Sequence, residues 1–100
     1  MRTNEIQTVG VIGAGTMGQG IAQVCASAGF TTLLYDVNTE VLAKGLEAIQ
    51  QNLEVAVEKK KTTRTQKDET VSRIQLVKTL SEMKADLIIE AVVEKLEVKQ

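Results

Sequence analysis

Apolar and polar positions change period several times along these 100 residues, and each change marks the edge of an element. Thr8–Ile12, "TVGVI", is apolar and β-branched apart from Gly10 and ends in a glycine-rich turn, which predicts a short buried parallel strand. Met17, Ile21, Val24, Cys25 and Ala28 then recur at helical spacing. They predict a helix over Met17–Ser27 with those side chains on its apolar face, and Gly29 stands where a C-cap glycine belongs. Thr31–Tyr35 reads as a second strand. Asn38 can cap a long helix of about five turns, because Leu42, Leu46, Ile49, Leu53 and Val57 follow spacings of four and three. The polar run Lys59–Asp68, "KKKTTRTQKD", has no apolar periodicity and predicts a turn or loosely held excursion. Arg73–Val77 reads as a short strand after a brief helical turn, and Ser81 as the cap of a one-turn helix through Lys84. "DLIIEAVVE", Asp86–Glu94, is a further buried strand, and Lys95 begins a helix.

Alternating β and α elements with continuous apolar strands predict an α/β fold with a parallel sheet and helices on both faces. With no proline, repeat or low-complexity tract, residues 1–100 read as one domain. They hold the first βαβαβ half of a Rossmann-type sheet with flanking helices and a long second helix. The sheet is incomplete at the C-terminus, so the chain reads as the front of a longer protein.

Composition narrows the chemistry. Twelve lysines and arginines against 13 acids give a net charge of −1, so no global field draws in nucleic acid or an anionic membrane. Any bound anion must be caught locally. The opening "MRTNEIQTV" lacks the apolar core of a signal peptide, and no run of about 18 apolar residues predicts a membrane span, so a cytoplasmic address is expected. Cys25 is the single cysteine and histidine is absent, which argues against a disulfide and against a zinc or iron site. Cys25 itself reads as a small core residue. Without histidine, a general base near neutral pH would have to come from elsewhere.

The local anion site lies in Gly13-Ala14-Gly15-Thr16-Met17-Gly18, which fits G-x-G-x-x-G between a predicted strand and a predicted helix. Gly13 permits the tight turn, Gly15 lets backbone approach a pyrophosphate, and Gly18 lets helix pack on strand. Free N–H groups and the positive end of the helix dipole meet the phosphates without a lysine. Gly10 and Gly20, outside the fingerprint, read as packing positions. Asp36 closes the second strand 18 residues beyond Gly18, near the separation of about 20 expected of the acid that accepts from the adenosine ribose. An acid there repels a 2′-phosphate and favours NAD over NADP. Two plainer readings stay open: a glycine turn that serves packing alone, and an Asp36 that only caps the next helix.

"VGVIGAGTMGQGIAQVCASAGFTTLLYD" followed by "ADLIIEAVVEKLEVK" resembles the amino-terminal domain of the 3-hydroxyacyl-CoA dehydrogenase family, most closely its bacterial 3-hydroxybutyryl-CoA type. The likeness covers nearly the whole chain. It implies that Gly13–Gly18 and Asp36 hold the adenosine half of NAD, and that Glu94 and Lys99 contact the cofactor's far half. From the residues alone, Glu94 stands at the carboxyl end of a strand, where open α/β sheets bind ligands, or is simply a first-turn acid. Lys99 alone reads as a solvated lysine. The resemblance further implies that Asn52, Lys59 and Lys60 contact the coenzyme A of an acyl-CoA substrate, although Asn52 departs from the serine of some relatives. A helix C-terminus favours such lysines in any case. The catalytic histidine and its glutamate, and the helical domain through which such enzymes form homo-oligomers, would lie downstream, leaving these 100 residues inactive alone. A related β-hydroxyacid dehydrogenase and a non-catalytic NAD-sensing module are the alternatives.

Overall fold

The computed structural model describes residues 6–91. Four strands, β1 (Thr8–Ile12), β2 (Thr31–Tyr35), β3 (Ile74–Leu76) and β4 (Leu87–Glu90), form one fully parallel sheet in the order β3-β2-β1-β4. Helix α1 (Thr16–Ser27) joins β1 to β2, and α2 (Thr39–Glu58) followed by α3 (Arg64–Ser72) joins β2 to β3. In register, Val11 pairs with Leu34 on one side and Ile89 on the other, and Ile12 with Tyr35 and Glu90. The carboxyl ends of β1, β2 and β4 therefore open together beside the glycine turn. Among the described residues no helix is long and apolar enough to cross a membrane.

Side chains alternate across a strand, so the sheet has two distinct faces. Val9, Val11, Leu34 and Ile74 meet Ala22 and Ala26 of α1 and Leu42, Ile49 and Leu53 of α2 in the main core. On the other face Leu33, Val77 and Met83 form a smaller core flanked by Ile12 and Tyr35. Helices were expected on both faces, but the three described α-helices all lie on the first. The connection between β3 and β4 covers only part of the second, where the Met83 sulfur occupies the space that a Cβ on Gly10 would need, and leaves Ile88 of β4 47% exposed.

Helix α1 corrects the apolar-face expectation. Its buried residues are Gly18, Ala22 and Ala26, whereas Met17 and Val24 are 49% and 68% exposed and Ala28 is exposed. Ile21 and Cys25 are half-buried at the margin of the core. Small residues line the contact because the helix lies so close to the sheet that large ones would not fit. Gly20 is not a packing position, since a Cβ there would meet open space.

The loop expected over Lys59–Asp68 is only half right, because α3 begins at Arg64. Apolar periodicity could not reveal this helix: it is held by a capping box, with the Gln66 N–H donating to Thr63 Oγ1 and the Thr63 N–H donating to Gln66 Oε1. Helix α2 begins as expected, with Asn38 Oδ1 accepting from the N–H groups of Glu40 and Val41 at 2.9 and 3.1 Å. The one-turn helix is a 3₁₀ turn over Leu80–Glu82 with Thr79, not Ser81, at its start. Asp86 ties β4 to the start of β1, its Oδ2 accepting from the N–H groups of Gln7 and Thr8 at 2.9 and 3.0 Å. Those bonds hold its carboxyl below the ordinary carboxylate range. The buried strand expected over Asp86–Glu94 is seen at Leu87–Glu90 but is not buried: it stands at the edge of the described sheet, with Leu87 and Ile88 44% and 47% exposed. Glu94, Lys99 and the helix from Lys95 lie outside the described residues.

Candidate functional site

The glycine turn is fixed by steric demand before any ligand is considered. Gly13 has φ +108°, a conformation that favours glycine, and its N–H donates to the Tyr35 carbonyl at 2.7 Å. A Cβ on Gly18 would collide with the Gly13 carbonyl oxygen, so the first turn of α1 rests directly on the backbone of the loop. Gly15 is the N-cap of α1 and carries no side chain to cap it, and the first turn contains no acid. The helix's first bond runs from the Gln19 N–H to the Gly15 carbonyl at 2.8 Å. The N–H groups of Gly15, Thr16, Met17 and Gly18 donate to no group among the described residues. Four unpaired donors at the positive end of a helix dipole are the arrangement that an anion site requires. Gly15, Thr16 and Met17 are exposed there, while Gly13, Ala14 and Gly18 are buried beneath them.

Asp36 lies against this turn, which the spacing anticipated without fixing its contacts. Its Oδ2 accepts from the Ala14 N–H at 2.8 Å and its Oδ1 from the Asn38 N–H at 2.8 Å. It is not the cap of α2, a role taken by Asn38. The carboxylate is half-buried at the mouth of the sheet, and each oxygen retains a lone pair for a further donor. The fit to a dinucleotide is consistent: backbone donors for a pyrophosphate, no cation needed, and an acceptor beside them for a sugar.

Two residues that the motif did not flag also touch the turn. Gln19 Nε2 donates to the Ala14 carbonyl at 3.1 Å, and Gly45 of α2 packs on Ala14 so closely that a Cβ would stand 2.9 Å from that same oxygen. Gly45 could have been found, since a glycine inside an otherwise strong helix pattern often marks a close approach.

Asn52, Lys59 and Lys60 are not brought to the turn. All three are exposed on α2 or its C-terminal end, and Lys59 lies 14 residues past Gly45, about 21 Å along the axis at 1.5 Å per residue. The end is a tight cap. The Lys60 N–H donates to the Val57 carbonyl and the Lys61 N–H to the Ala56 carbonyl, with Lys60 at φ +60°, an uncommon conformation for a side chain other than glycine. Beside it, Glu54 accepts from Arg64 at 3.0 and 3.2 Å and from Lys67 at 2.7 Å. These charge-assisted bonds, Arg64 first, lower its pKa to about 2. The network neutralises two cations of α3 and leaves Lys59, Lys60 and Lys61 outside any ion pair among the described residues. Cys25 is half-buried, and burial pushes its thiol pKa up.

Residues 8–100 match the family model described as "3-hydroxyacyl-CoA dehydrogenase, NAD binding domain". Among curated relatives, the chain is 43% identical over 96 residues to a probable 3-hydroxybutyryl-CoA dehydrogenase of Bacillus subtilis and 47% identical over 96 residues to a 3-hydroxybutyryl-CoA dehydrogenase of Bradyrhizobium diazoefficiens. Each match covers 95% of this chain and 33% of the relative, so the chain spans about a third of the length of these relatives. The crystal structure of an (S)-3-hydroxybutyryl-CoA dehydrogenase from Ralstonia eutropha superposes with a TM-score of 0.86 at 36% identity, covering 90% of this chain and 32% of that one.

Proposed function

The chain belongs to the NAD binding domain family of the 3-hydroxyacyl-CoA dehydrogenases, and from that premise we propose that it is the cofactor-holding part of a 3-hydroxybutyryl-CoA dehydrogenase. The observation that carries the proposal is the row of four unpaired N–H groups, Gly15 to Gly18, set over the buried contact between Gly13 and Gly18. When bound, NAD would supply the hydride acceptor for oxidation of the 3-hydroxyl of an acyl-CoA.

The residues of this chain bind and orient. The N–H groups of Gly15–Gly18 hold the pyrophosphate, with the exposed backbone of Gly15 allowing close approach. Asp36 accepts from the adenosine ribose hydroxyls while anchoring Ala14, and its charge disfavours a 2′-phosphate. Glu94 and Lys99 are assigned to the far half of the cofactor on the resemblance of their motif. Asn52, Lys59 and Lys60 are assigned to coenzyme A: Lys59 and Lys60 are exposed, unpaired cations at the end of α2 that suit its phosphates, and Asn52 is an exposed amide donor. The distance of the lysines from the glycine turn suits a ligand that reaches across the domain. No residue of this chain is assigned to proton transfer.

Calorimetry with NAD and NADP tests the cofactor site. NAD is expected to bind at least ~10-fold more tightly than NADP, a difference of about 1.4 kcal/mol, and Asp36→Ala to narrow that gap. Equal affinities in the parent would remove Asp36 from the site. For the basic end, Lys59→Ala with Lys60→Ala is expected to weaken binding of coenzyme A while leaving NAD affinity intact; an unchanged affinity for coenzyme A refutes that assignment.

A further inference from the structure

We propose that Gln19 and Gly45 are positioning residues for the phosphate-facing turn, acting through the peptide that joins Ala14 to Gly15; this rests on the assignment of that turn to the NAD pyrophosphate. In a trans peptide the C=O and the following N–H point in opposite directions. Whatever fixes the Ala14 carbonyl therefore aims the Gly15 N–H. Gln19 Nε2 donates to that carbonyl at 3.1 Å, and the Gly45 backbone lies against it so closely that a Cβ would sit 2.9 Å from the oxygen, 3.1 Å from Ala14 Cβ and 3.6 Å from Gln19 Cγ. The Ala14 N–H is already taken by Asp36.

Every polar group of Ala14 is thus satisfied inward, and its carbonyl, which would repel phosphate oxygens, faces the protein. The Gly15 N–H is left facing the mouth of the helix. Ala14 precedes the N-cap Gly15, so no N–H of the helix's own ladder serves its carbonyl, and the Gly18 N–H is one of the orphan donors of the first turn. The Gln19 side chain supplies the donor to that carbonyl, and the Gly18 N–H stays free for an anion. A hydrogen bond accepted by a peptide carbonyl also polarises the unit, which strengthens its N–H as a donor. Gly45 completes the arrangement by letting α2 close over Ala14 without a Cβ, at a helix position where glycine is otherwise unfavourable.

The test uses ¹⁵N-labelled protein and the variant Gln19→Met, which keeps the length of the side chain and removes the donor. NAD affinity is expected to fall about 10-fold, the loss of one hydrogen bond of roughly 1.4 kcal/mol. Affinity for adenosine, which has no phosphate, is expected to match the parent, and the Gly15 amide proton to move upfield in the unliganded spectrum. Gly45→Ala is expected to reproduce the amide shift and lose more NAD affinity. Unchanged NAD affinity in Gln19→Met overturns the proposal, as does an equal loss for NAD and adenosine, which would mark Gln19 as merely structural. A parent protein that does not bind NAD overturns the cofactor assignment and this proposal together.

Discussion

At the glycine turn, the groups offered to an anion are backbone N–H donors whose places are dictated by contacts that tolerate no extra atom, with Gly18 on Gly13 and Gly45 on Ala14. At the far end of α2, the offered groups are three consecutive lysines on an exposed cap, held by hydrogen bonds and by the Glu54–Arg64–Lys67 network. In the first region structure and the proposed binding share the same atoms. In the second they are separable, because the cap is backbone and the charge sits on side chains that reach away from it. Substitutions should therefore damage fold and binding together at the turn, and one without the other at the basic end.

The largest expected effect is at Gly18. Gly18→Ala drives a Cβ into the Gly13 carbonyl and should cost about 3 kcal/mol, with a fall in Tm of roughly 15 °C by scanning calorimetry and loss of NAD binding. Gly20→Ala, two residues on in the same helix, meets open space and should raise stability by about 1 kcal/mol. If both variants moved in the same direction, the close-contact account of the turn would fail. Next in size is Asp36→Ala, which strands the Ala14 N–H in a half-buried site; a loss of about 2 kcal/mol in urea unfolding is expected, together with weaker NAD binding.

At the basic end the effects are smaller and the sign can reverse. Lys60→Gly relieves the φ of +60° and should stabilise the fold by about 1 kcal/mol while weakening binding of coenzyme A. A parallel loss of both would show that the two regions are not built differently. The smallest effect is the acid dependence of the ion network. The Glu54 pKa is lowered from 4.5 to about 2, so the folded state binds fewer protons than the unfolded one in that interval. Its contribution is full above pH 4.5 and disappears as the pH falls towards 2. The Tm gap between the parent and Glu54→Gln should close over that window; a gap independent of pH would exclude the network as its source. Asp86, also held low, leaves residual acid sensitivity in both proteins.

The strands, the long capped helix and the glycine fingerprint were legible because each rests on local pattern: β-branched runs at Thr8–Ile12 and Thr31–Tyr35, Asn38 before a four-and-three repeat, glycines at fixed spacing. Helix α3 was not legible from apolar periodicity, since it has no apolar stripe, although the capping-box spacing of Thr63 and Gln66 is a signal that could have found it. The inward face of α1 was misjudged for a related reason. Hydrophobic spacing selects the largest apolar residues, but a helix pressed onto a sheet buries its smallest, Gly18, Ala22 and Ala26.

By itself the sequence determined the four strands, the first two helices and a glycine-rich turn with an acid near its usual distance, but not α3. Periodicity and glycine content are properties of neighbouring residues, so they can be read without coordinates. Only the tertiary structure decided that Asp36 is tied to Ala14, that Gln19 and Gly45 close over the same residue, and that the lysines stand at the opposite end of α2. Those relations join residues up to 31 positions apart, from Ala14 to Gly45, and they depend on how closely two helices and a strand can approach. That distance is set by packing, which one-dimensional spacing does not contain.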